Sequence, residues 1–90
     1  MKTDYKEFRQ IIAQVNDCSL AFLANEKFDI HVNVTNFKSG EEIMTGVSVL
    51  VFGERAKIEA EFSFRDYRTA DENWDELRRL WDFVKENTEG

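Results

Sequence analysis

His31, Ser48 and Glu59 are the residue types that a hydrolase uses as base, nucleophile and orienting carboxylate. The strand register read from the sequence places them in one row across a three-stranded sheet. A nucleophilic triad needs its histidine between the serine and the carboxylate, so that the base touches both. Here serine takes the middle place, on a flat face with no backbone arrangement suited to holding an oxyanion. Ordinary polar residues on a solvated strand face account for the row. Metal chemistry has even less to stand on. One His and one Cys, far apart in the chain, make no zinc site. The acidic pairs Glu41/Glu42 and Asp71/Glu72 lack the spacing of a calcium loop, and no glycine-rich phosphate loop is present. The chain is expected not to be an enzyme and to carry no metal or cofactor.

The elements that position these residues follow from pattern. Residues 43–65 read as a hairpin closed on Gly53-Glu54, because glycine supplies the positive φ that a type II′ turn needs at its first central position. That turn pairs Val51 with Ala56, Val49 with Ile58, Val47 with Ala60, Thr45 with Phe62 and Ile43 with Phe64, all on one face. The opposite face pairs Phe52 with Arg55, Leu50 with Lys57, Ser48 with Glu59, Gly46 with Glu61 and Met44 with Ser63. A one-residue slip would drive Lys57, Glu59 and Glu61 into the core. Phe28, Ile30, Val32 and Val34 alternate with polar residues, as in a strand with one buried face. A turn at Ser39-Gly40 pairs Val34 with Thr45, Val32 with Val47, Ile30 with Val49 and Phe28 with Val51, so both hairpins present the same core face.

Helices flank the sheet. Tyr5, Phe8, Ile12, Val15, Ser19 and Phe22 recur at three- and four-residue steps, with Ile11 and Leu23 beside them. Asp4 and Glu7 read as a capping box. Asn16-Asp17-Cys18-Ser19 are poor helix formers, which leaves open a helix ending near Asn16 with Ser19 to Ala24 extended; the in-phase stripe favours one helix to about Asn25. Thr69-Ala70-Asp71-Glu72 is a second capping box, opening a helix to about Asn87 with the stripe Ala70, Trp74, Leu77, Trp81 and Val84. The expected fold is a single α+β domain over residues 1–90. Helices span 4–25 and 70–87 and strands 28–36, 43–52 and 55–65, in antiparallel order 1-2-3 with both helices on one sheet face. The expected core is Phe8, Ile12, Val15, Phe22, Ile30, Val32, Val47, Val49, Ile58, Phe62, Trp74, Leu77 and Trp81.

Composition limits the partners. Ninety residues with 42% hydrophobic content support one modest core. A net charge of −6 repels phosphate backbones, so direct nucleic-acid binding is not expected, whereas a basic protein surface is a natural counterpart. The single cysteine fits a reducing compartment. With no signal peptide or membrane span in the pattern, the expected location is the cytoplasm, without membrane contact. Two sets of residues are left over for binding. Met44, Leu50 and Phe52 form an apolar strip on the open sheet face, suited to a partner or to a homodimer. Glu54, Glu59 and Glu61 on the sheet, with Asp71, Glu72, Asp75 and Glu76 on the second helix, form an acidic surface.

The order helix, three strands, helix resembles the double-stranded RNA-binding domain. That family begins its second helix with lysines, where this chain reads Thr69-Ala70-Asp71-Glu72-Asn73-Trp74-Asp75-Glu76. The phosphate-binding residues are gone, so the resemblance carries no RNA binding with it. The same order, with the acidity, resembles small phage-encoded anti-CRISPR proteins, which occupy nucleic-acid-binding surfaces of their targets. A looser similarity is to small dimeric secretion chaperones, which flank an antiparallel sheet with helices. These resemblances imply a non-catalytic inhibitor, from a phage or mobile element, that covers a basic nucleic-acid-binding surface of a bacterial enzyme. The alternative they leave is a homodimeric adaptor or chaperone using the open sheet face; a hydrolase stands behind both.

Overall fold

The computed structural model describes residues 2–21 and 28–88. It has helix α1 (Tyr5–Leu20), strands β1 (Asp29–Ser39), β2 (Glu42–Phe52) and β3 (Ile58–Arg65), and helix α2 (Ala70–Thr88). The strands form one antiparallel sheet in the order β1-β2-β3. The α+β architecture read from the sequence is therefore the observed one.

Helix α1 starts where Asp4, in an extended conformation, accepts the Lys6 N–H on its carboxylate at 3.2 Å. Glu7 does not complete the expected box, since its carboxylate accepts the Trp74 indole N–H at 2.8 Å instead. The weak stretch 16–19 does not break the helix. The Ser19 hydroxyl donates to the Val15 carbonyl at 2.8 Å, which removes its competition with the backbone. The helix runs to Leu20 and Ala21 caps it. The expected continuation to Asn25, with Phe22 in the core, lies outside the described residues. Helix α2 opens on the expected Thr69 box. Thr69 Oγ1 accepts the Glu72 N–H, and the Glu72 carboxylate accepts the Thr69 N–H, both at 3.2 Å.

Both turns differ from the sequence reading. The first uses Gly40-Glu41, with Gly40 at φ 68° in the first central position, where a residue without Cβ is favoured. Val34 consequently pairs with Val47, and Val32 with Val49. The second is longer. Glu54–Ala56 form a 3-10 turn between Gly53 and Lys57, so Val49 pairs with Phe62 and Val47 with Phe64. The longer turn sets the two phenylalanines opposite the central valines, beneath the helices. The tighter turn would strand them at the sheet's end against Thr45 and Ile43. It also sets Arg65 opposite Gly46, where a Cβ would lie 2.7 Å from the guanidinium. Both shifts are even, so each face keeps its residues.

One core joins the helices to that face: Phe8, Ile11, Val15 and Cys18 from α1, Val47, Val49 and Val51 from β2, Phe62 and Phe64 from β3, and Leu77, Leu80 and Val84 from α2. The expected core needs several corrections. Ile58 falls beyond a bulge at Val51/Phe52 and is 53% exposed. Ala56 leaves the sheet for the turn and is exposed. The stripe of α1 centres on Ile11 rather than Ile12, with Tyr5 at its exposed margin; that of α2 centres on Leu80, with Trp81 at the rim. Ile12, Ile30, Val32 and Trp74 are partly buried against the core rather than within it, and so is Phe83, which lies outside the expected stripe of α2.

Candidate functional site

The register dissolves the row of chemistry-bearing residues. His31 pairs with Leu50, which pairs with Glu61, while Ser48 lies between Asn33 and Ser63. The His31 ring instead meets Phe52 edge to face, with centroids 5.0 Å apart. Among the described residues, no group of three or more His, Cys, Asp or Glu side chains is placed to hold a metal ion. Cys18 is buried, and desolvation pushes its thiol up to about 11, which keeps it in the unreactive thiol form. Among the same residues, no helix is long and apolar enough to cross a membrane.

The structure separates the seven carboxylates of the expected acidic surface by role. Glu76 is mostly buried, accepts the Ser63 backbone N–H at 3.0 Å and pairs with Arg79. It is a structural group, and its place in the expected surface is corrected. Glu72 caps α2; the Thr69 backbone N–H and hydroxyl hold its carboxyl below the ordinary glutamate value. Asp75 faces Arg78 at 3.7 Å with both side chains exposed, a pair that adds little stability. Asp71 lies at the start of α2, near Lys2 and Asp4, and Glu54 stands exposed in the 3-10 turn.

Glu59 and Glu61 remain, and they have company that the sequence reading missed. With Asp82 and Glu86 of α2 they line a groove of about 350 Å³ between the free side of β3 and the second half of the helix. All four residues are exposed, the Glu59 side chain passing close to Gly53, and the wall includes Ala60, Phe62 and Phe83. The cation lining this groove, Arg79, is drawn to Glu76 and lies over the Phe62 ring at 5.3 Å. Asp82 and Glu86 sit four residues apart, hence on one helix face. That spacing was visible in the sequence; its alignment with β3 depends on the register.

The open sheet face is less bare than expected. Met44, Leu50 and Phe52 are all half-buried. Leu50 and Phe52, with Asp29, His31, Asn33 and Ala56, line a shallow depression of about 380 Å³. Met44 pairs with Phe37 near the far end of the hairpin and is not part of it.

No family model matches the chain, and no curated protein and no solved structure matches it.

Proposed function

We propose that this protein is a non-catalytic binding module that takes a basic segment of a protein partner into the groove between β3 and α2. The observation that supports the reading is the set Glu59, Glu61, Asp82 and Glu86. These four exposed acidic residues line one groove whose neighbouring cation is already paired. They are spread along an edge and do not converge on a point, which suits an extended basic surface better than a single ion. An apolar wall at the half-buried Ala60 and Phe83 gives the aliphatic stems of lysine or arginine a place to lie. A nucleic-acid-binding enzyme offers such a surface, and inhibition by occluding it is the activity proposed.

The test compares wild type with the variant Glu59→Gln/Glu61→Gln/Asp82→Asn/Glu86→Gln as bait in bacterial lysate at low salt. Wild type is expected to retain a basic nucleic-acid-binding protein and to release it when nucleic acid is added in excess, while the variant retains none. Equal retention by both baits, or retention indifferent to nucleic acid and salt, would overturn the proposal.

A further inference from the structure

The outer side of β1 carries an inference independent of the acidic groove. The two-residue turn makes Ser39 and Glu42 a hydrogen-bonded pair, and antiparallel alternation then aims the backbone N–H and C=O of Ile30, Val32, Val34, Asn36 and Lys38 away from β2. Among the described residues no strand pairs with those groups. The strand is 11 residues long, and the only formal charges it carries are Asp29 and Lys38 near its ends. It has no proline, and its ladder with β2 has no bulge. The devices that blunt an exposed edge are therefore missing.

The core-facing side of this hairpin is uncovered as well. Val34 is 64% and Ile43 58% exposed, although both alternate with the buried valines. They line a groove of about 510 Å³ against Phe8 and Ile12 of α1, with Tyr5 at its margin. We infer that β1 pairs antiparallel with β1 of a second copy of this chain, about a two-fold axis at Val34, to make a continuous six-stranded sheet.

A two-fold normal to the sheet keeps both core faces on one side. Val34 then lies beside Val34 of the other copy, Val32 beside Asn36 and Ile30 beside Lys38, and the two grooves, each also lined by Lys2, Arg9 and Asp66, adjoin across the axis. The strand is electrically its own complement in this direction. Its Asp29 end comes beside the Lys38 end of the other copy, within a Debye length although on opposite faces; parallel pairing would set like against like. Glu59, Glu61, Asp82 and Glu86 lie on the other edge, along β3 and α2, whereas Glu41 and Glu42 stand exposed at the hairpin turn beside β1.

Sedimentation of the full chain tests this, with helix content followed by circular dichroism. Wild type is expected to sediment at twice its 10.6 kDa mass. Val34→Lys places like charges on the axis at a position already exposed, and is expected to give a folded monomer. Val34→Pro removes only an outward N–H, a position that an edge strand tolerates, and is expected to do the same. Neutralising the four groove carboxylates is expected to leave the dimer intact, which keeps this result separate from the proposed function. A monomer at every concentration overturns the inference. So does a dimer that survives Val34→Lys, above all one that Leu50→Asp disperses, since that would place the interface on the open sheet face. A wild-type monomer that binds an extended peptide along β1 assigns the edge to another occupant and overturns self-pairing too.

Discussion

The two edges of the sheet are built on opposite terms. On β3 the outward backbone groups at the C-terminal half are all taken. Ser63 gives its N–H to Glu76 and receives Arg68 on its carbonyl at 3.1 Å. Arg65 gives its N–H to the Asn73 amide oxygen at 3.2 Å and accepts the Asn73 amide N–H at 2.9 Å. A single asparagine side chain thus stands in for a neighbouring strand. The N-terminal half of β3 carries the exposed charges Glu59 and Glu61. On β1 no strand pairs with the matching groups among the described residues, and the middle of the strand is uncharged. One edge is closed to strand pairing and left to electrostatics; the other is open to it.

Asn73→Leu breaks this contrast most severely. Asn73 is fully buried, and its amide also donates to Thr3 Oγ1 at 2.8 Å, tying the start of the chain to the β3–α2 connection. Leucine would orphan the Thr3 and Arg65 groups together, an expected loss of about 2–3 kcal/mol in urea unfolding. The sealed edge would then resemble β1, so increased self-association is also expected.

Cys18 supplies a second reading of the same comparison. With its thiol at about 11, against an ordinary 9.0, ionisation alone slows labelling about 100-fold in the folded state. Labelling therefore reports opening of the core. Asn73→Leu is expected to raise the rate in proportion to its lost stability, whereas Val34→Lys is expected to leave it close to that of a wild-type monomer. An equal rise in both would mean that the β1 edge supports the core as much as β3 does.

Glu76→Gln is a milder probe. The amide keeps an oxygen for the Ser63 N–H but loses the ion pair with Arg79, so a cost of about 1 kcal/mol is expected. Glu76→Ala should cost more, because it also leaves the Ser63 N–H unpaired. Equal effects would mean that the hydrogen bond contributes nothing to closing the edge.

Much of this contrast was hidden in the sequence for an identifiable reason. Face assignment depends on parity alone, so Val47, Val49 and Phe62 were legible as core although both turns differ, because each turn shifts the pairing by an even number of residues. Register depends on turn length. Arg55 and Ala56 adopt left-handed backbone at φ 60° and 58°, which no glycine or asparagine announces. From that one turn follow the exposed Ile58, the separation of Glu59 from Ser48, and the alignment of Asp82 and Glu86 with β3; the shift of the first turn to Gly40-Glu41 separates His31 from Ser48. The helix stripes were legible to within one position, as at Ile11 and Leu80. The edge seal was not, because Asn73 and Glu76 read as ordinary helix-surface polar residues until β3 is set beside them.

Two smaller effects test the ends of the sealed edge. Glu72 titrates below its ordinary 4.5 in the folded protein because it accepts the Thr69 backbone N–H. Its contribution to stability is therefore complete above pH 4.5 and lost as pH falls through the lowered folded value. The difference in Tm between wild type and Glu72→Gln is expected to shrink over that range; a constant difference would place the cap's effect elsewhere. Ala56→Gly relieves the left-handed alanine in the β2–β3 turn and is expected to stabilise by up to about 1 kcal/mol, less the entropy that glycine adds to the unfolded chain. Destabilisation would contradict that turn and the register it sets.

Residue-resolved amide exchange, run on the full chain at several concentrations, tests both edges at once. The Ser63 and Arg65 amides point outward from β3 and are expected to be protected at every concentration, because Glu76 and Asn73 hold them. The outward amides of Val32, Val34 and Asn36 are expected to exchange freely in dilute protein and to gain protection as concentration rises, while Asn33 and Thr35 stay protected throughout by β2. Ser63 and Arg65 exchanging as fast as Val34 in dilute protein, or Val34 never gaining protection, would contradict the contrast between a sealed edge and a pairing one.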